Sequence, residues 1–120
     1  MLKKVSPILW TEQLEETVEF YSHILLFECD ALDLKEGWAK MRKGEAVIML
    51  GLPNDHLRFE KPHFTGSIYL YTNNVVSEWE LVKDLVNVCY PLEKFSYGMW
   101  EFGIFDNNGY LLQFGQAIDI

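Results

Sequence analysis

The sequence predicts an α+β fold made of two β-α-β-β-β modules, which would form a cupped, barrel-like mixed sheet with the helices outside. The first observation behind this prediction is an internal repeat. Segments 6–11 and 67–72 match at a spacing of 61 residues, and both have the β-branched and aromatic character of short strands. The matched pairs are Ser6 and Ser67, Leu9 and Leu70, Trp10 and Tyr71, and Thr11 and Thr72.

The second observation is that each of these strands is followed by the apolar spacing of a core-facing helix. The stripe is Leu14, Val18, Tyr21 and Leu25 in the first module, and Val75, Trp79, Val82 and Val86 in the second. The third is that three strand-like runs follow each helix, at 26–33, 37–42 and 45–50 and again at 88–94, 99–105 and 110–115. We therefore expect a single domain, 1–120, in which module one is 1–50, a turn-rich connector is 51–65 and module two is 66–120.

Composition and charge argue against a membrane-spanning protein and against a nucleic-acid-binding protein. The chain is 49% hydrophobic, enough for a folded core, and no apolar run approaches the ~20 residues of a membrane span. A net charge of −8 makes nucleic acid a poor partner, because phosphate binding needs a basic surface, whereas it favours cationic ligands. No signal peptide is recognisable, and we interpret Cys29 and Cys89 as reduced, buried thiols. We expect a cytoplasmic protein whose partners include neither nucleic acid nor membrane.

The final hairpin of each module predicts which side chains share a face, since paired residues lie on one face and faces alternate along a strand. In module two, a four-residue turn at 106–109 places Trp100, Phe102 and Gln113 on one face and Glu101 on the other, toward the helix. In module one, a turn at 42–45 places Ala39, Met41, Ile48 and Leu50 toward the helix, and Trp38, Lys40, Val47 and Met49 on the opposite face.

The first strand of each module follows the same alternation. Leu9 and Leu70 are expected to face the helices, and the residues expected on the opposite faces are Ser6, Ile8, Trp10, Ser67, Tyr69 and Tyr71. Faces that mix aromatic and polar side chains suit the wall of a small-molecule pocket. We therefore expect the ligand-binding surface on the side away from the helices.

Several motifs resemble those of a known superfamily. The run 14–21, which ends in Phe20-Tyr21, and the run 24–27 are similar to its "L-x-x-x-x-x-F-Y…L-G-F" entry, with Leu26 where glycine is usual. The ending, from Tyr97 through the turn 106–109 to Gln116, resembles that of its bleomycin-resistance-like members, with Asn107 and Asn108 in a turn that usually reads D-P-D-G. The chain thus resembles the glyoxalase/bleomycin resistance/dioxygenase (vicinal oxygen chelate) superfamily, in particular its bleomycin-resistance branch.

The resemblance also implies where a metal would bind. Metal-dependent relatives take one ligand from the first and one from the last strand of each module, and these positions fall on Ser6, Met49, Ser67 and Gln113. Gln113 alone has a side chain suited to a hard divalent ion. His56 and His63 lie in the connector without a third ligand nearby. We therefore expect no metal and no cofactor, and no glyoxalase or dioxygenase activity of the metal-dependent type.

These observations together favour a small-molecule binding protein that sequesters an aromatic and possibly cationic ligand, as the resemblance to bleomycin-resistance proteins implies. The expected ligand-binding residues are Ser6, Trp38, Met49, Ser67, Tyr69, Trp100, Phe102 and Gln113, and no catalytic residue is assigned. The superfamily also implies a homodimer. Two alternatives stay open: a metal-free lyase or isomerase that uses groups such as Tyr69, Gln113 or Lys40, and a ligand-free dimeric interaction protein.

Overall fold

A computed structural model describes residues 1–118, and the order of elements repeats β-α-β-β-β twice. In module one, β1 is Ile8–Trp10, α1 is Leu14–Glu19, a π-helical segment is Phe20–Ile24, β2 is Glu28–Asp33, β3 is Trp38–Lys43 and β4 is Ala46–Gly51. In module two, β5 is Ile68–Tyr71, α2 is Val75–Val82, β6 is Asn87–Lys94, β7 is Met99–Phe105 and β8 is Leu111–Ala117. The predicted α+β class and the repeated order of elements are confirmed.

The chain divides into two compact units, Met1–Pro62 and His63–Ile120. Each unit contains one module, and the boundary falls inside the predicted connector, 51–65. The single domain over 1–120 stays a prediction. No helix within residues 1–118 is both long enough and apolar enough to cross a bilayer.

Each module builds one four-stranded mixed sheet. The strand orders are β1-β4-β3-β2 and β5-β8-β7-β6, and in each sheet the first and last strands of the module pair in parallel while the other pairs are antiparallel. The parallel pair is possible because the helix and two further strands separate its members along the chain. The two sheets therefore have the same topology and can be compared position by position.

The face assignment for module one is confirmed, although the turn lies one residue later than the predicted 42–45. The pairing is therefore displaced by two residues, and an even displacement leaves every side chain on its predicted face. Lys43 pairs with Ala46, and the ladder continues to Ala39 opposite Leu50. The four residues assigned to the helix side are almost fully buried, as is Leu9 of β1: Ala39, Met41, Ile48 and Leu50 are 0–1% exposed and Leu9 is 2% exposed. They form the core beneath α1, so burial of apolar surface specifies this register.

The face assignment for module two is wrong by one residue. A four-residue turn at 106–109 predicts that Asp106 lies opposite Gly109, but the backbone N–H of Asp106 donates to the carbonyl of Tyr110, and Phe105 pairs with Leu111. The carboxylate of Asp106 also accepts from the N–H groups of Asn108 and Tyr110, which holds a wider turn than the four-residue one assumed. Relative to β8, the shift of one residue moves every β7 side chain to the other face, so Glu101 lies away from the helix while Trp100 and Phe102 lie toward it. The faces predicted for β8 hold, and Gln113 lies away from the helix.

The helix of module one ends in an unusual way. After α1 the chain widens into the π-helical segment, and Leu26 then takes a left-handed backbone conformation with φ +63°. The N–H of Phe27 donates to the carbonyl of Tyr21 at 2.8 Å, which closes the end of the helix. Glycine usually occupies such a position because a Cβ atom is strained there. This explains why the related motif has glycine at position 26.

Asn74 caps α2, because its side chain accepts from the N–H of Ser77 at 3.2 Å. Cys29 and Cys89 are free thiols but lie exposed on β2 and β6, so the expectation that they are buried is wrong. Both lie beside a register irregularity in their strand pairing, where alternation of faces is interrupted.

Candidate ligand-binding site

A buried carboxylate lies at the centre of module two, on the sheet face opposite α2. Glu101 in β7 is only 1% exposed, and three tyrosine hydroxyls donate hydrogen bonds to it. Tyr69 and Tyr97 donate to Oε1, at 3.1 and 2.7 Å, and Tyr90 donates to Oε2. Because a buried carboxylate is costly unless its oxygens are satisfied, these phenols are what allows Glu101 to sit there.

The network extends through two more polar side chains. The amide nitrogen of Gln113 donates to the hydroxyl of Tyr90 at 2.8 Å, and the hydroxyl of Ser67 donates to the amide oxygen of Gln113. We call these six residues the tyrosine–carboxylate cluster; its members are Ser67, Tyr69, Tyr90, Tyr97, Glu101 and Gln113. The strand register explains the assembly, since Tyr69 pairs with Gln113 and Gly103 pairs with both Gln113 and Tyr90.

Two glycines make room for the tyrosine rings. A Cβ atom at Gly115 would lie 1.9 Å from the hydroxyl of Tyr69, and one at Gly103 would lie 2.4 Å from the ring of Tyr90. Neither distance is possible for real atoms. The missing side chains therefore let both rings lie over the backbone of the sheet, where their hydroxyls reach Glu101.

The phenols of the cluster are held in their protonated form. Burial, followed by the hydrogen bond to Glu101, raises the pKa of Tyr69 and of Tyr90 well above the ordinary value. At Tyr97 the hydrogen bond to Glu101 is the main cause and raises the pKa to about 12. A phenolate beside a carboxylate is disfavoured because two negative charges would meet. At neutral pH the three tyrosines therefore act as neutral donors.

The donor set of module two does not fit a divalent metal ion. At the two positions of module two where the motif resemblance implies metal ligands, Ser67 and Gln113 are bonded to each other, and the amide nitrogen of Gln113 is bonded to Tyr90. The Gln113 amide is therefore oriented by hydrogen bonds within the cluster, and a serine hydroxyl is a weak ligand. Within residues 1–118, no group of three or more His, Cys, Asp and Glu side chains could hold a metal.

In module one, the residues expected at the binding surface share a face without forming such a network. Trp38 pairs with Gly51 and is 37% exposed, Met49 pairs with Ile8, and Lys40 pairs with Met49. Ser6 lies two residues before β1 and is half-buried. This face combines the apolar Val47 and Met49 with Lys40 and with Arg42, which donates to the carboxylates of Asp30 and Glu28 in β2. It carries no buried carboxylate bound by phenols among the described residues.

Trp100 and Phe102 lie on the other face of their sheet from the cluster. Phe102 is fully buried, with ring centroids 5.0 Å from Trp79 of α2 and 4.9 Å from Phe114. Trp100 pairs with Gln116, whose amide oxygen accepts from the first N–H of α2, at Val75. The expectation that both line the surface opposite the helix is wrong, because the register of β7 and β8 differs by one residue from the one assumed.

Sequence reasoning missed Tyr90, Tyr97 and Glu101 as members of the cluster. A signal for Glu101 was available in the pattern of β7 and β8, where Phe102 and Ile104 alternate with Glu101 and Gly103. Apolar residues at every second position belong on the core side. That alternation, taken without any assumption about the turn, places Glu101 opposite the helix. Tyr97 lies in a turn, and no spacing rule connects it to Glu101.

The comparisons with known proteins concern the fold. No protein-family model and no curated protein matches the sequence. Solved structures match it nearly end to end: TioX from Micromonospora sp. ML1 has a TM-score of 0.81 at 13% identity, covering 97% of this chain and 99% of that one. A glyoxalase/bleomycin resistance protein/dioxygenase superfamily member from Sphaerobacter thermophilus DSM 20745 has 0.78 at 19%, covering 99% and 98%. A lactoylglutathione lyase from Agrobacterium tumefaciens has 0.71 at 16%, covering 95% and 92%.

The chain has the glyoxalase/bleomycin resistance/dioxygenase fold. This agrees with the resemblance drawn from its motifs, and several further matching structures carry the same superfamily name. The similarity at 13–20% identity is one of fold, and this fold serves several chemistries. The function therefore has to be argued from the cluster itself.

Proposed function

We propose that the protein binds a small molecule that combines an aromatic group with a positive charge, at the tyrosine–carboxylate cluster of module two. The observation that carries this proposal is a buried carboxylate, Glu101, surrounded by tyrosine rings. The phenols that bind Glu101 are neutral donors, so they stabilise its negative charge without cancelling it. A cation placed against such a group is attracted by a charge that little water screens.

The aromatic part of the ligand is supported by exposed rings beside Glu101. Tyr71 is 81% exposed and lies 4.9 Å from Tyr69 between ring centroids, and Tyr97 is 63% exposed and stacks on Phe95 at 5.3 Å. Ring faces such as these bind planar groups by stacking and cations by cation–π contact, each worth about 1 kcal/mol at exposed sites. The net charge of −8 adds long-range attraction for a cation.

The protonated state of the tyrosines argues against a lyase or isomerase that would use one of them as its base. Their raised pKa values keep them protonated at neutral pH, so none of them can take a proton as a general base. Neither a metal nor a cofactor has a part in the proposed binding. Resistance-type sequestration of a basic compound such as bleomycin, which the motif resemblance implies, is one form of this function, and a homodimer remains part of the proposal.

Isothermal titration calorimetry with matched probes tests the proposal. Phenethylamine and 2-phenylethanol have nearly the same shape, but only the amine is charged at neutral pH, and bleomycin is titrated beside them. We expect the wild type to bind the amine at least tenfold more tightly than the alcohol. We expect Glu101→Gln to reduce that preference to about threefold or less, because a charged hydrogen bond is worth ~1.5–3 kcal/mol and tenfold in affinity is ~1.4 kcal/mol.

The matched control is Glu80→Gln, which removes the same charge from an exposed residue of α2 that pairs with Lys83. It should leave the preference for the amine unchanged. Thermal unfolding of each variant, followed by circular dichroism, shows that the comparison is made on folded protein. If no probe binds the wild type at millimolar concentration, or if Glu101→Gln and Glu80→Gln bind the amine equally, the proposed function is wrong.

A further inference from the structure

The three tyrosines that bind Glu101 are not held equally. Tyr69 and Tyr90 lie on strands, are partly buried, and rest over Gly115 and Gly103. Tyr97 lies in the turn between β6 and β7, and its side chain is largely exposed. Of the three donors, Tyr97 is the one that can leave without disturbing the sheet.

The geometry of the turn presents the Tyr97 ring at the surface while its hydroxyl reaches back to the carboxylate. Phe95 and Met99 close the turn with a backbone hydrogen bond of 2.8 Å, and Gly98 follows with φ +88°. The Tyr97 ring is nearly parallel to the Phe95 ring, with 14° between their planes. Contact with solvent on one side and with Phe95 on the other leaves the hydroxyl as the attachment to the cluster.

The hydroxyl of Tyr97 also occupies the acceptor site of Glu101 that is nearest to solvent, because Tyr97 is the most exposed of the three donors. Oε1 of Glu101 accepts from both Tyr97, at 2.7 Å, and Tyr69, at 3.1 Å, while Oε2 accepts from Tyr90. A carboxylate oxygen has two good acceptor directions. An incoming ammonium N–H can therefore reach Oε1 at full strength only by replacing a phenol, and Tyr97 donates from the solvent side.

We propose that Tyr97 is a displaceable internal competitor: its hydroxyl takes the place on Glu101 that the N–H of a primary ammonium ligand occupies when bound. This inference rests on the proposed function and specifies the ligand class further, as a cation that donates a hydrogen bond. Displacement lets the ring of Tyr97 swing with the turn and stack on the ligand. The internal hydrogen bond lowers the apparent affinity, because only the fraction of molecules with Tyr97 released can bind.

The test is Tyr97→Phe, which keeps the ring and removes the competing hydroxyl. We expect it to bind phenethylamine about tenfold more tightly than the wild type, since a hydrogen bond to a charged acceptor of this kind corresponds to about that factor. The control Ser96→Ala removes a hydroxyl from the same turn, and we expect no change. A merely structural role for Tyr97 would weaken binding or leave it unchanged.

A second probe separates hydrogen-bond competition from a general loosening of the turn. Phenyltrimethylammonium is aromatic and cationic but has no N–H to donate, so its affinity should change less than twofold in Tyr97→Phe. Equal tightening for both probes, or no tightening for phenethylamine, would overturn the role of Tyr97 while the proposed function stands. Failure of both probes to bind wild type and variant alike would overturn both.

Discussion

The sheets of the two modules can be compared residue by residue through their strand pairing. In module one Trp38 lies opposite Gly51, and in module two Glu101 lies opposite Gly115. By the same pairing, Ile8 and Met49 correspond to Tyr69 and Gln113. One backbone arrangement thus presents apolar side chains beside an exposed arginine network at Arg42 in one module, and a buried carboxylate bound by phenols in the other.

This difference shows which part of the molecule carries the chemistry. The helix-facing sides are alike, since both are filled with buried aliphatic and aromatic side chains. The opposite faces differ at a few positions of module two: the carboxylate, the phenols that satisfy it, and the amide that orients one phenol. A buried carboxylate without those donors would be strongly destabilising, so the members of the cluster depend on one another.

The difference between the modules can be tested by adding one methyl group at the corresponding glycine of each. Gly115→Ala should destabilise the protein by about 1–3 kcal/mol, because the new Cβ atom would overlap the Tyr69 hydroxyl and force it away from Glu101. Gly51→Ala should change stability by less than about 0.5 kcal/mol, since its nearest neighbour, Ile8, would be at an ordinary 3.5 Å. Urea unfolding of both variants measures the two effects.

The affinity of these two glycine variants for phenethylamine tests the same difference independently of stability. Gly115→Ala should weaken it at least tenfold, and Gly51→Ala should leave it unchanged. Similar losses of stability for the two variants would mean that the modules do not differ in the way described.

The sequence was sufficient for the architecture because its repeat and its apolar spacing are both strong. The face assignment succeeded in module one because the helix-side positions, such as Met41 and Ile48, are uniformly apolar, and because the turn has only two residues, Gly44 and Glu45. It failed in module two because the Asp106 carboxylate bonds to two backbone N–H groups and widens the turn by one residue. Side-chain hydrogen bonds of this kind compete with the ladder and are hard to read from residue types alone.

The candidate site was predicted in part. Ser67, Tyr69 and Gln113 do meet, because alternation along β5 and β8 is enough to place them on one face. Glu101 was assigned to the wrong face by the one-residue error. Its role also depends on Tyr90, which lies beside an irregularity of β6, and an irregular strand does not preserve the alternation on which sequence reasoning relies.

Alkaline pH should reduce the stability that the tyrosines of module two contribute. A raised pKa in the folded state means that stability is fully present below the unfolded value, about 10, and is lost as the pH rises toward the folded value. The free energy of unfolding falls by at most ~1.4 kcal/mol per pH unit for one tyrosine, and partial exposure to solvent makes the effect smaller here. We expect wild type to be more stable than Tyr90→Phe at pH 8, and the gap to narrow between pH 10 and 11.

The measurement is urea unfolding of both proteins at several pH values. Tyr90 is a suitable choice because burial is the first cause of its raised pKa, and the hydrogen bond to Glu101 is the second. A gap that is constant or grows with pH would show that Tyr90 is not held in its protonated form by Glu101.

The smallest predicted effect concerns module one, at the end of its helix. Leu26→Gly should stabilise the protein by up to about 1 kcal/mol, because the strain of a left-handed leucine, about 1–2 kcal/mol, exceeds the extra chain entropy that glycine loses on folding. Leu32→Gly is the control, since Leu32 is similarly exposed but lies in the regularly paired part of β2, opposite Ala39. It should destabilise by about 0.5–1 kcal/mol. Thermal unfolding shows whether each variant is more or less stable than the wild type, and destabilisation by both substitutions would contradict the prediction.

The contact between Gly115 and Tyr69 limits the order in which mutations can assemble or dismantle the cluster. Any larger residue at 115 collides with Tyr69 in its present orientation. A glycine at 115 therefore has to be present before a tyrosine at 69 can bind Glu101, and Tyr69 has to be replaced before Gly115 can be replaced without a collision. The pair is therefore epistatic in a fixed direction. Module one already has Gly51 at the corresponding position beside Ile8, which makes it the permissive background in which a tyrosine at position 8 could be accommodated first.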